Sequence, residues 1–93
     1  MTRERIIERV NALMAARAGI DPGDISPEDF YDELGASSMQ CIEVLVDIER
    51  EFGIDVPGDR LLNVTTMQDV YDLVEGIIAE VRQYIDSIVN EKQ

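Results

Sequence analysis

The chain of 93 residues is long enough for one domain and short enough that its core must be compact. With 45% apolar and 30% charged residues it has the balance of a globular protein rather than a disordered one. Its 20 acidic against 8 basic residues, a net charge of −12, argue against nucleic acid and anionic membrane surfaces as partners, and the absence of histidine removes the commonest general base and most zinc sites.

The charged start leads into no apolar segment, and no apolar run approaches the ~20 residues that span a bilayer. The expectation is a cytoplasmic, untargeted protein. From Thr2 to Ala18, Ile6, Val10, Leu13, Met14 and Ala18 recur at steps of three and four, one buried stripe of an amphipathic helix, with Gly19 as its stop. Residues 20–36 hold Pro22, Gly23, Pro27 and Gly35 with apolar anchors at Ile20, Ile25, Phe30 and Leu34, which predicts a long, partly packed loop with a short helical turn near Pro27 to Tyr31. Its acids, Asp21, Asp24, Glu28, Asp29, Asp32 and Glu33, lack the EF-hand spacing and read as solvated charge.

A second helix begins at Ser37-Ser38 and runs to Phe52, closed by Gly53 and the extended segment Ile54 to Pro57. Ser37-x-x-Gln40 fits a capping box, which occupies Ser37 and leaves Ser38 at the first helical position with a free hydroxyl. On a helical wheel Cys41, Val44, Leu45, Ile48 and Phe52 form a core stripe, whereas Met39, Ile42 and Val46 form a second one beside Glu43 and Asp47. Glu43, Asp47 and Glu51 stand four apart, a like-charge stripe suited to steering a basic partner. Cys41, the single cysteine, rules out a disulfide framework and reads as a buried thiol. After one short turn within Gly58 to Asn63, Thr65-x-x-Gln68 predicts the cap of a last helix, about residues 66–90, along which Val70, Val74, Ile77, Val81, Ile85 and Ile88 keep the helical period. At roughly 37 Å it is longer than the first helix can cover, so its end protrudes, frays or meets another subunit. The fold class is all-α, a small four-helix bundle of three long helices and one short one, in a single domain over 1–93.

The segment Leu34-Gly35-Ala36-Ser37-Ser38-Met39, the acidic helix ending Glu49-Arg50-Glu51-Phe52-Gly53-Ile54-Asp55-Val56-Pro57, and the junction Val64-Thr65-Thr66-Met67 closely resemble the acyl and peptidyl carrier protein family over most of the chain. In that family's Gly-x-Asp-Ser-Leu pattern the serine accepts 4′-phosphopantetheine from coenzyme A, which places the attachment on Ser38. Gly35 matches, Ser37 stands for the aspartate and Met39 for the leucine. The resemblance implies a monomeric, non-catalytic carrier, modified by a phosphopantetheinyl transferase and holding its cargo on the thiol of the arm rather than on Cys41. It also implies a docking face of Met39, Ile42, Glu43, Val46 and Asp47 for basic surfaces of acyl-transferring or condensing enzymes. An acyl cargo either stays in solvent or tucks between helices near Leu45, Ile54, Leu62, Val64 and Met67. Ser37, Met39 and Arg50 depart from the family pattern and favour a specialised pathway over general fatty-acid synthesis, with polyketide synthesis also open. An aminoacyl or peptidyl carrier of a nonribosomal pathway is the alternative, and an unmodified helical interaction module the second.

Overall fold

The computed structural model describes residues 2–34 and 38–91. Three helices, α1 (Arg3–Ala18), α2 (Ser38–Phe52) and α3 (Met67–Glu91), are joined by long connections that carry 3₁₀ turns at Pro22–Asp24, Tyr31–Glu33 and Gly58–Leu61. Among the described residues the only extended pairing is a single bridge between Phe30 and Thr66. The class is the expected all-α bundle, with the turn at Gly58–Leu61 as its short fourth element.

Local chemistry sets each helix end. Thr2 Oγ1 accepts the Arg5 amide at 3.2 Å to open α1. Gly19, with φ of 72°, closes it: the Gly19 and Ile20 amides both donate to the Ala15 carbonyl, at 2.8 and 3.2 Å. α2 ends the same way, with Gly53 at φ 65° and the Ile54 amide donating to the Glu49 carbonyl at 3.1 Å. Glu49 Oε2 also accepts the Val56 amide at 3.0 Å, which holds the extended segment against the helix end.

The cap of α3 lies one residue later than the Thr65 and Gln68 pattern suggests. Thr66 Oγ1 accepts the Asp69 amide at 3.2 Å, and Asp69 Oδ2 accepts the amides of Thr66 and Thr65 at 3.1 and 3.0 Å. The box is thus Thr66 with Asp69, whose shorter carboxylate reaches two amides at once. The amides between them are taken by the first loop: Met67 donates to the Asp29 carbonyl at 2.9 Å and Gln68 to the Pro27 carbonyl at 3.0 Å. Every orphan amide of the first turn is therefore paired. The expected turn near Pro27 to Tyr31 is present, with the Asp29 amide donating to the Ser26 carbonyl at 3.0 Å and a 3₁₀ turn following at Tyr31–Glu33. The loop also turns earlier, at Pro22–Asp24, with Asp21 Oδ1 accepting the Gly23 amide at 2.8 Å.

The core joins Ile6, Val10 and Met14 of α1, Val44 and Ile48 of α2, and Met67, Tyr71, Val74 and Ile77 of α3, with Ile25, Ile54 and Val56 from the connections. Tyr71 is 1% exposed, and its hydroxyl donates to Asn11 Oδ1. α1 packs on both other helices in the opposite sense. It stops short of the end of α3, whose residues Val81, Tyr84, Ile85 and Val89 are exposed, and the molecule measures 50 × 25 × 20 Å.

Candidate functional site

Ser38 is the first residue of α2. Its hydroxyl, the preceding Gly35, Ala36 and Ser37, and with them the capping box of Ser37 and Gln40, lie outside the described residues. Gln40 Nε2 donates to the Arg17 carbonyl at 2.8 Å, tying the first turn of α2 to the last turn of α1.

Cys41, Ile42 and Leu45 follow position 38 by three, four and seven residues, the spacing of one helix face. All three line an apolar cavity of about 150 Å³. α3 contributes Val70, Leu73 and Val74 to its wall, and α1 contributes Val10 and Met14. Of the five residues expected to flank such a space, Leu45 and Val64 line it. Ile54 and Met67 are core residues away from it, and Leu62 is 80% exposed. The α3 wall was legible as the pair Leu73 and Val74 one turn beyond Val70, a signal that the period of the core stripe alone does not separate from ordinary packing.

Cys41 is half-buried on this wall rather than in the core. Removal from water, and secondarily the charge of Asp32, push its thiol up, so it is mostly protonated and a poor nucleophile. Val44 and Ile48 of the expected core stripe are buried, and Leu45 and Phe52 pack half-buried against the core. The second stripe faces out, with Met39 64%, Ile42 59% and Val46 37% exposed.

The carboxylates beside that stripe do not form the free acidic face that α2 alone suggests. Arg17 of α1 binds two of them, its Nη1 2.5 Å from Glu43 Oε2 and its Nε 2.8 Å from Asp47 Oδ2. Arg9 holds the third, 2.8 Å from Glu51 Oε1. The hydrogen bond from Arg17 keeps the Asp47 carboxyl below its ordinary range, and that from Arg9 does the same for Glu51. The missed signal was a shared spacing: Arg9 and Arg17 are eight residues apart, as are Glu43 and Glu51, so antiparallel helices put each arginine on a carboxylate. The apolar stripe is consequently flanked by arginine-paired carboxylates, with one negative charge in excess because Arg17 is shared by Glu43 and Asp47.

Among the described residues no cluster of three or more His, Cys, Asp or Glu side chains is placed to hold a metal ion, and no helix is long and apolar enough to cross a membrane.

The phosphopantetheine attachment site family matches this chain over residues 8–74, a stretch that runs from α1 through α2 and the cavity wall of α3. The chain belongs to this family of carrier proteins. An acyl carrier protein of Thermosynechococcus vestitus is 32% identical over 80 residues, covering 85% of the chain and 99% of that protein. One from Rubrobacter xylanophilus is 31% identical over 75 residues, covering 80% and 93%. The crystal structure of an acyl carrier protein from Thermotoga maritima has the same fold, with a TM-score of 0.72 at 22% identity over 85% of this chain and 93% of that one. The relatives are carriers rather than catalysts.

The cofactor of this carrier family is 4′-phosphopantetheine, attached covalently. When bound it supplies a phosphate at the attachment point and a terminal thiol that holds cargo as a thioester. The start of α2 fits such a group: a helix N-terminus carries partial positive charge that favours phosphate, and the apolar cavity opens onto the same helix face within two turns.

Proposed function

We propose that the chain is an acyl carrier protein in which the Ser38 hydroxyl carries 4′-phosphopantetheine. The observation that carries this reading is the register of α2, which sets position 38 at the helix start and Cys41, Ile42 and Leu45 on the wall of a cavity about 150 Å³ in volume. The chain has no histidine, and a serine hydroxyl is a weak nucleophile without a base, so a phosphopantetheinyl transferase activates it. After modification the residues of this chain orient and shelter cargo rather than react with it. Cys41 stays a thiol because its environment disfavours the thiolate.

The cavity is lined by aliphatic side chains together with Cys41 and Tyr31, which favours an acyl cargo over a charged aminoacyl one. The whole chain acts as one carrier domain in the cytoplasm. Partner enzymes meet Met39, Ile42 and Val46, with Glu43 and Asp47 at the margin. Because Arg17 already engages both carboxylates, apolar contact contributes more to that docking than steering by charge. Ser37, Met39 and Arg50 support a specialised biosynthetic pathway.

The test is loading. Carrier modified with coenzyme A and a broad-specificity transferase should accept an acyl group that hydroxylamine removes, and Cys41→Ser should do so equally well. Acylation that survives in Ser38→Ala but is lost in Cys41→Ser would refute the assignment.

A further inference from the structure

We propose that the part of α3 beyond α1 is a self-association surface, on which a second copy of the chain lays the same segment antiparallel. α1 runs against α3 in the opposite sense, with Asn11 meeting Tyr71 and Ile6 lining a groove with Ile78. Near its start, Arg3 reaches two carboxylates of α3, Asp72 at 2.7 Å and Glu75 at 3.3 Å. α1 begins there, but α3 continues to Glu91 with the same apolar period. Val81, Tyr84, Ile85 and Val89 remain exposed, Tyr84 by 68%. A groove that begins beside Ile6 continues along Arg82, Gln83 and Asp86 and borders this apolar stripe on one flank.

Charge selects the occupant. At −12 the chain repels its own copies wherever the surface is acidic. From Gly76 to Asn90, however, the groups charged at neutral pH are Glu80, Arg82 and Asp86, and Glu80 is held 2.6 Å from Arg60. The remaining two are of opposite sign, four residues apart, on one groove. In a two-fold antiparallel pair, matching flanks of the two helices face each other, so Arg82 of each copy meets Asp86 of the other near a centre at Tyr84. A parallel pair brings opposite flanks together and loses both contacts. The open segment is only roughly 20 Å long. With a helix about 10 Å across it offers a strip of roughly 200 Å², well short of the ~800 Å² per partner of a standard interface, so the dimer is weak and the chain is monomeric when dilute.

Sedimentation equilibrium over roughly 10 µM to 1 mM protein at physiological salt is the test. Wild type should follow a monomer–dimer curve. Arg82→Glu should weaken association at least about fivefold, a loss of roughly the size of one exposed ion pair at each of two sites. Arg82→Glu combined with Asp86→Arg should restore it. In a Cys41→Ser background, Tyr84→Cys should form disulfide dimers far faster than Asn90→Cys. Wild type that stays monomeric to the highest concentration, a charge swap that fails to restore association, or faster crosslinking at position 90 would overturn the proposal.

Discussion

A series of acyl chains loaded on the carrier should raise its melting temperature with each added carbon and then stop. The cavity of about 150 Å³ beside the start of α2 sets where. A dry apolar cavity of that size holds a benzene-sized guest, so about six carbons fit. Each methylene moved from water into it contributes at most ~0.8 kcal/mol. For a domain of this length 1 kcal/mol corresponds to about 4–8 °C, giving a rise of up to roughly 3–6 °C per carbon and a plateau near six. Val74, 1% exposed and part of the cavity wall, offers an internal control. Val74→Ala should cost the unloaded protein about 2 kcal/mol through lost packing, and should move the plateau out by about two carbons, the number removed. Thermal unfolding by circular dichroism across the series, in both proteins, reads both effects. A melting temperature that ignores chain length, or a plateau that Val74→Ala leaves in place, would show that the cavity does not hold cargo.

Thr66→Ala should destabilise the protein by about 1 kcal/mol in urea titration, since it removes the side chain that caps α3, whereas Thr65→Ala should cost less. Arg17→Ala should lower the melting temperature at neutral pH and tighten binding to basic partner enzymes by releasing Glu43 and Asp47. Because the folded-state pKa of Asp47 is depressed by Arg17, the stability it contributes is present above the unfolded carboxyl value and disappears as pH falls through the folded one. The gap between wild type and Arg17→Ala should therefore close in acid, and a gap that persists at low pH would count against the pairing. Gly76→Ala should stabilise α3 by roughly 0.5–1 kcal/mol, because a Cβ at that helical position meets no atom within 4 Å.

Much of the fold was legible because local rules agreed with the global arrangement. Thr2, Gly19 and Gly53 punctuate the helices as their chemistry demands, and the stripes of α2 separated into a packed side and an exposed one. What the sequence concealed depends on residues far apart in the chain. The α3 cap shifted to Thr66 because Asp29 and Pro27, some forty residues earlier, supply carbonyls to Met67 and Gln68. The acidic stripe of α2 is legible as charge, but its pairing with Arg9 and Arg17 exists only once α1 lies antiparallel to it. Leu62 looked like cavity lining by its type, yet it sits just past the Gly58–Leu61 turn with its side chain in solvent. The proposed attachment point, Ser38, stands in a motif, and the structure adds a cavity on the helix face that follows it.

The proposed carrier function rests on one atom, the hydroxyl oxygen of Ser38. Intact mass after incubation with coenzyme A, magnesium and a broad-specificity phosphopantetheinyl transferase tests it most directly. Wild type and Ser37→Ala should each gain the mass of one phosphopantetheine, and Ser38→Ala should gain none. An unmodified wild type, or a Ser38→Ala protein that is still modified, would contradict attachment at Ser38.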